Sequence, residues 1–222
     1  MNTKTELPGR RNFIMNSMAI VGGIAALSGI SESVFANNKS SDDDINLIGP
    51  KQGYSPQVGT LVSMLTWMRN VVLMSVKGMS QSDLDFLFDD KANTIGAMLL
   101  HLNATETLYG IHTFDGKPWG KWEMSVTQKY RAAMNLGPEG RSTIKGNSLD
   151  FYLTTLNETR EKSLAEFRKR DDAWLLTVDE KWPWGPTNNY CKWFHVCEHE
   201  SNHNGQIKWL KSRIPGAKAG ND

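Results

Sequence analysis

The sequence has little net charge, and its lack of an excess of either sign limits the partners that it could bind. Lys and Arg number 25 against 24 Asp and Glu, so the formal net charge is +1. A chain without a surplus of positive charge lacks the electrostatic attraction that binds nucleic acid, and we expect no nucleic-acid partner.

Cysteine is scarce, with only Cys191 and Cys197 in the chain. On a helix, residues six apart are separated by about 9 Å along the axis and about 240° around it, so these two cannot form a disulfide with each other. Neither points in the direction of His199, so they do not suggest a thiol mechanism. We interpret both as small buried residues.

No stretch alternates in the manner of a strand, and no internal repeat is visible. The 39% of hydrophobic and 22% of charged residues fit one globular domain, and eight Trp, eight Phe and ten Met supply apolar volume for its core. Apolar residues at three- and four-residue steps predict helices. The expected architecture is therefore an all-α, antiparallel four-helix bundle with a long middle loop, covering residues 54–214 and followed by a tail, 215–222.

The predicted helix limits come from capping and helix-breaking residues. A short helix is also expected near 126–134, a capping box at Ser80 and Asp83, and a loop at 182–186, where prolines and Gly185 exclude a helix. The first long helix is predicted to begin at Ser55-Pro56 and end at Gly78, and the second to run from about Asn93 to about His112. The third begins near Ser148. The fourth begins near Asn188 and ends before Pro215.

Residues 1–36 have the pattern of an export signal. Arg10-Arg11 and Phe13 precede a mostly apolar run, 18–30, which is shorter than the ~20 residues needed to cross a bilayer. We interpret the segment as a twin-arginine signal, cleaved near Ala36 and read by the twin-arginine export machinery, which predicts a periplasmic protein. An uncleaved N-terminal helix is the alternative. Residues 37–53 are polar and turn-forming, and we expect a flexible tether.

Residues 197–206, CEHESNHNGQ, place His199 and His203 four residues apart in the fourth predicted helix. Their directions differ by about 40° and their heights by about 6 Å, so both rings can reach one ion. Asn202 and Gln206 fall on the same side, next to an apolar face. Buried polar groups need partners, which a metal would supply, so we expect these two beside a bound ion. A hydrogen-bonded polar patch is the alternative.

The third ligand of such a site must lie upstream. A zinc peptidase with an HExxH motif takes its third ligand downstream, but no Glu or His follows His203, which makes a peptidase the less favoured function. His195 is about 12 Å of helix away from His203, too far to share an ion with it. Of the two remaining histidines, His112 is expected to face solvent near a helix end. His101, in a helix predicted to be buried, is the preferred ligand.

A histidine in an apolar HL context on the second helix, with HExxHxGQ on the fourth, resembles the DinB-like family of metalloenzymes. The resemblance covers 54–214 and implies that His101, His199 and His203 bind one divalent ion, with open positions for water or substrate. The family's usual string has Arg where this chain has Asn204. Glu106 matches a frequent acid of the family, but it points about 140° away from His101, so we expect it to take a hydrogen bond inside the bundle. A homodimer is also consistent with the family.

The expected chemistry is that of an open metal site. Three neutral imidazoles suit zinc, nickel or ferrous iron about equally well. Such an ion lowers the pKa of a bound water or thiol and polarises an oxygen. Glu200 could be the general base, because it adjoins His199, or it could be an exposed helix glutamate.

The expected function is a metal-dependent enzyme of hydrolase or transferase type with an unknown small-molecule substrate. Characterised proteins of the family that it resembles include transferases and isomerases that use low-molecular-weight thiols, although an oxidising periplasm disfavours a thiol substrate. A non-catalytic bundle that binds a metal or another ligand is the alternative. Trp182 and Trp184 could wall a substrate pocket or pack the loop that caps the bundle.

Overall fold

The computed structural model describes residues 45–218, and the predicted export signal, 1–36, lies outside them, as do 37–44 of the predicted tether and 219–222 of the tail. The described residues contain eight helices and one two-stranded sheet. The helices are α1 (Pro56–Val76), α2 (Gln81–Leu84), α3 (Ile95–Thr113), α4 (Met124–Asn135), α5 (Gly137–Thr143), α6 (Leu149–Phe167), α7 (Asp172–Leu176) and α8 (Asn189–Lys211), and the strands are β1 (Val178–Asp179) and β2 (Thr187–Asn188).

Capping side chains set the beginnings of the helices. Thr94, Ser148 and Asn188 each accept a hydrogen bond from the backbone N–H three residues further on, which satisfies one of the free donors of the first turn. The predicted capping box of Ser80 and Asp83 is confirmed, with both reciprocal bonds present. Helix α1 has no such cap and begins at Pro56, and all four long helices begin within two residues of their predicted positions.

The all-α prediction is confirmed, and the four long helices α1, α3, α6 and α8 form the bundle. Arg69 of α1 donates to the carbonyl of Leu156, and Arg160 of α6 donates to the carbonyl of Leu65, so α1 and α6 are antiparallel. α3 and α8 are also antiparallel, because His101 in the first half of α3 contacts His199, whereas Thr113 at the end of α3 contacts Trp193, which comes earlier in α8. The long connection 114–148, which carries α4 and α5, returns the chain so that α6 runs in the same direction as α3.

The helices α3 and α6 approach closely at Gly96. A Cβ atom added at this glycine would overlap the hydroxyl group of Tyr152, a fully buried side chain. The absence of a side chain at Gly96 is therefore a packing requirement.

The buried apolar side chains form two clusters, and helix α1 contributes to both of them. α1 is long and apolar enough to cross a membrane by length and composition. Here it contributes much of its surface to the core, through side chains that are shielded from solvent, among them Val58, Leu61, Leu65 and Val72. Burial inside the bundle accounts for its composition.

Candidate metal centre

Three histidines from two helices converge at one point in the bundle. His101 projects from α3, and His199 and His203 project from α8 one turn apart. The Nε2 atom of His199 lies 2.8 Å from Nε2 of His101 and 3.2 Å from Nε2 of His203. The candidate ligand atoms of all three lie within 4.8 Å of one another. The predicted set of residues is therefore brought together across the fold.

The outer ring nitrogens are held by oxygen acceptors, which fixes the tautomers. Nδ1 of His101 lies 2.8 Å from the carbonyl oxygen of Ala133, and Nδ1 of His203 lies 2.8 Å from Oε1 of Gln206. Each oxygen accepts, so each Nδ1 carries the proton and each Nε2 presents a lone pair towards the centre. At most one hydrogen, on His199, is then available for three nitrogens. A cation between them would satisfy all three lone pairs.

The spacing of these nitrogens fits a metal ion. Nitrogens bound at ~2.1 Å to one tetrahedral or octahedral ion lie roughly 3.0–3.4 Å apart. The two Nε2 separations, 2.8 and 3.2 Å, are close to that range. The residues present therefore fit a single transition metal ion with three imidazole ligands.

The environment keeps the three rings neutral. Burial lowers the pKa of His199 to about 3, with contributions from the neighbouring histidines, and lowers that of His203 to about 4. Burial also lowers the pKa of His101, although its bond to Ala133 acts in the opposite direction. Neutral imidazole is the form that binds metals, so the cluster is ready for an ion at neutral pH.

The two amides predicted to lie beside the ion belong to exposed residues, but they make different contacts. Gln206 accepts the bond from His203 and so supports a candidate ligand directly. Asn202 is exposed, and its amide donates to Oε2 of Glu198 at 2.7 Å. The predicted inward orientation of Asn202 is therefore wrong, because its side chain follows the outer surface of α8. A direct role of either residue in holding the ion stays a prediction.

Glu200 lies inside the bundle and takes part in ion pairs. It is only 1% exposed, so the alternative of an exposed helix glutamate is wrong. Its Oε1 atom accepts hydrogen bonds from Arg69 and from Arg160, at 2.8 Å from Nη2 of the latter. Both guanidinium groups contact this one oxygen of the carboxylate, inside the bundle. The predicted role of general base stays untested, and this position does not favour it.

Four buried charged residues, one from each long helix, form an ion-pair quartet: Arg69, Glu106, Arg160 and Glu200. The expectation that Glu106 takes a hydrogen bond inside the bundle is confirmed. Burial alone would raise the pKa of Glu106, but Arg160 and Arg69 outweigh it and hold that pKa at about 2. Two positive and two negative charges balance, so the quartet can be buried without a net charge.

Neither arginine of the quartet was identified from the sequence. Arg69 lies on the same apolar stripe as Leu65, Met68 and Val72, and Arg160 lies four residues after Leu156 on the stripe of α6. An arginine on a core-facing stripe is the signal that could have identified both.

His195 adjoins the histidine cluster on α8. Its ring centroid lies 5.2 Å from that of His199, and its Nδ1 atom lies 2.7 Å from Oε1 of Glu198. Trp184 also contacts the His195 ring, at a centroid distance of 4.9 Å. His195 thus lies between the candidate ligands and the tryptophan-containing loop 182–186.

His112 is not solvent-facing as predicted. Its Nδ1 donates to the carbonyl oxygen of Lys117, and its Nε2 accepts a bond of 2.9 Å from Nζ of Lys192. Lys192 is 1% exposed and also donates to Asp179 at 3.0 Å. The end of α3 is therefore covered by the segment that contains β1, which shields most of the His112 side chain from solvent.

The two cysteines do not form a disulfide, as expected. Their predicted burial is wrong, because Cys191 is exposed and Cys197 is only partly buried. Burial nevertheless raises the pKa of the Cys197 thiol to about 11. A thiol in that state is protonated at neutral pH and is a poor nucleophile.

Comparison of the sequence with protein families gives a match over most of the described chain. A sequence model with the description mycothiol S-transferase matches residues 60–216, which include all three histidines of the cluster. No significantly similar sequence is found among curated proteins.

Solved structures share the fold. An uncharacterised protein from Clostridium difficile 630 is 16% identical with a TM-score of 0.54, and the match covers 71% of this chain and 96% of that chain. A Streptococcus pneumoniae protein is 15% identical, with the same TM-score and coverages of 71% and 91%. A conserved Enterococcus faecalis protein is 13% identical, with a TM-score of 0.54 and coverages of 70% and 95%. Identities this low support the fold alone.

Proposed function

Because the chain belongs to the mycothiol S-transferase family, we propose that it is a metal-dependent transferase that acts on a low-molecular-weight thiol. This membership agrees with the DinB-like resemblance of its histidine motif. The convergence of His101, His199 and His203 is the observation that carries the proposal. These residues would hold one divalent transition metal ion, and zinc, nickel and iron all suit three imidazoles.

A divalent ion at this position would supply Lewis acidity, lowering the pKa of a thiol or water and polarising an oxygen. The residues of the chain then have separate roles. Gln206 and the carbonyl of Ala133 orient two of the rings. His199 is only partly buried, so a substrate can approach the cluster from its side.

His195 is placed to accept the proton that a thiol loses when its sulfur forms a bond to an electrophile. Glu198 accepts a hydrogen bond from Nδ1 of His195, which leaves Nε2 as the nitrogen with a free lone pair, and the His195 ring lies beside that of His199. We propose His195 for this role in place of Glu200, whose carboxylate is engaged by two arginines.

We also propose that the protein is exported to the periplasm and that it forms a homodimer. The export proposal rests on the sequence pattern of residues 1–36. An oxidising periplasm disfavours a free thiol substrate, so the export proposal and the thiol proposal oppose each other and are tested separately. N-terminal sequencing of the exported protein tests cleavage near Ala36, and light scattering tests the dimer.

A conjugation assay with the full chain tests the enzymatic proposal. The protein is loaded with Zn²⁺, Ni²⁺ or Fe²⁺ and mixed with 1-chloro-2,4-dinitrobenzene and one of three thiols: mycothiol, glutathione or cysteine. A transferase forms the dinitrophenyl thioether and releases chloride at a rate that depends on the metal, and His199→Ala abolishes this rate. Release of dinitrophenol without loss of thiol would indicate a hydrolase. A metal-loaded protein that is inactive with all three thiols would instead favour the non-catalytic metal-binding bundle.

A further inference from the structure

Trp184 is an exposed tryptophan at the border of the candidate metal centre. Its side chain is 58% exposed. The indole meets the ring of His195 edge to face, at an interplanar angle of 84°, and His195 in turn contacts His199. Trp184 is thus two ring contacts away from a candidate ligand, and much of its apolar surface faces solvent.

The neighbouring tryptophan of the same loop has a different environment. Trp182 is 4% exposed and packs among Tyr109, His112 and Trp119. Its ring meets that of Trp184 at right angles with a centroid distance of 5.5 Å. Trp182 therefore accounts for the packing of the loop, and Trp184 is left without that role.

The loop that carries both tryptophans is held rigidly. It connects β1 to β2, and the backbone N–H of Gly185 donates to the carbonyl of Trp182. Nζ of the buried Lys192 lies 4.7 Å from the centre of the Trp182 ring while it binds Asp179 and His112. Burying an ammonium group is costly unless such partners hold it, so these contacts specify the position of the loop. The ring contacts with Trp182 and His195 then orient the indole of Trp184.

The surface that Trp184 forms with His195 suits a flat apolar group. Glu198 is the acid in contact with His195, and its two oxygens are engaged by that ring and by Asn202. An aromatic ring that packs on the indole gains stacking and removes apolar area from water. A charged or strongly hydrated group would gain neither.

We infer that Trp184 is a positioning residue that packs against an aromatic or other flat apolar group of the electrophilic substrate. The inference rests on the proposed function, in which that substrate reacts beside the three histidines. It assigns the chemical class of the electrophilic substrate. Lys192 and Trp182 act through Trp184 by fixing its position.

Two hydroxamates of different size test this without a turnover assay. Acetohydroxamate and 4-phenylbenzohydroxamate share the group that binds the metal, and only the second carries flat aromatic rings. Their affinities for the Zn²⁺-loaded full chain are measured by calorimetry. We expect the biphenyl compound to bind at least about tenfold more tightly, the size of a favourable aromatic contact. Trp184→Ala should remove most of this difference and leave acetohydroxamate binding unchanged, and Trp184→Phe should restore much of it.

Trp209→Ala is the matched control. Trp209 is also an exposed tryptophan with an edge-to-face partner, Phe88, but it lies on α8 beyond His203. We expect this variant to bind both hydroxamates as the wild type does.

The remaining outcomes separate the two proposals. Equal binding of both compounds by the wild type, or a loss caused by Trp209→Ala and not by Trp184→Ala, would overturn the role of Trp184 and leave the metal site intact. An equal loss of both affinities in Trp184→Ala would show that the residue only maintains the site, which also overturns the inference. If neither hydroxamate binds, the metal site of the proposed function fails, and the inference fails with it.

Discussion

Arg160 of α6 and Glu106 of α3 form a two-point ion pair inside the bundle. Nε of Arg160 donates to Oε1 of Glu106 at 2.8 Å, and Nη2 donates to Oε2 at 3.2 Å. Glu106 is fully buried and Arg160 is 5% exposed. Charges in such a place are stable only while each has its partner.

Glu106→Gln should therefore be strongly destabilising. The substitution leaves Arg69 and Arg160 with Glu200 as their remaining carboxylate, so one positive charge is buried without compensation. We expect a loss of about 3–5 kcal/mol in the free energy of unfolding, measured by urea denaturation. The double variant Glu106→Gln, Arg160→Met removes one charge of each sign and should lose less than the sum of the two single variants. Strict additivity would argue against a coupled quartet.

The low pKa of Glu106 predicts that the protein loses stability in acid. The pKa of Glu106 is about 2 in the folded protein, below its ordinary value of 4.5. Ionised Glu106 therefore contributes about 3 kcal/mol to the free energy of unfolding. This contribution is fully present above pH 4.5 and is lost as the pH falls towards 2. Urea unfolding of the metal-free protein at a series of pH values measures this slope, and Glu106→Gln should lack it. Parallel curves for the two proteins would contradict the assignment.

Gln206→Ala should weaken metal binding, because the amide oxygen of Gln206 orients the ring of His203. Loss of a partner that supports a ligand typically lowers metal affinity by about 10–100-fold. Competition with a chromogenic chelator measures this affinity. Asn202→Ala is the control, since Asn202 is also exposed but binds Glu198 and not a candidate ligand, and it should retain the wild-type affinity. A similar loss in both variants would mean that Gln206 has no special role.

Gly96→Ala should destabilise the contact between α3 and α6, because the new methyl group would overlap the Tyr152 hydroxyl. We expect a loss of about 1–3 kcal/mol in the free energy of unfolding. Gly110→Ala on the same helix is the control, since its Cβ would meet Phe114 at an ordinary 3.5 Å. That variant should be neutral or stabilising by up to about 1 kcal/mol. Equal effects at the two glycines would contradict the close approach at Gly96.

The sequence was sufficient to predict the long helices and the three histidines. Helix limits follow from local capping by Thr94, Ser148 and Asn188, and the spacing of His199 and His203 follows from the geometry of a single helix. The short helices α5 and α7 were missed because seven and five residues are too few for an apolar period to be seen.

Features that depend on distant parts of the chain were less predictable. Glu200 and Arg69 are separated by 131 positions, and nothing local indicates that they form a pair. His112 looked exposed because the segment that covers it, with Asp179, is far away in sequence. The shared direction of α3 and α6 likewise depends on the path of the connection 114–148, which no helical period specifies.

The most direct test of the account is elemental metal analysis of the full chain, purified without an affinity tag, beside its His101→Ala variant. His101 is the candidate ligand from α3, so its removal leaves only the two imidazoles of α8. We predict about one transition metal ion per chain in the wild type and its loss in the variant. An absence of metal from both proteins, or equal metal content in the two, would contradict the three-histidine centre.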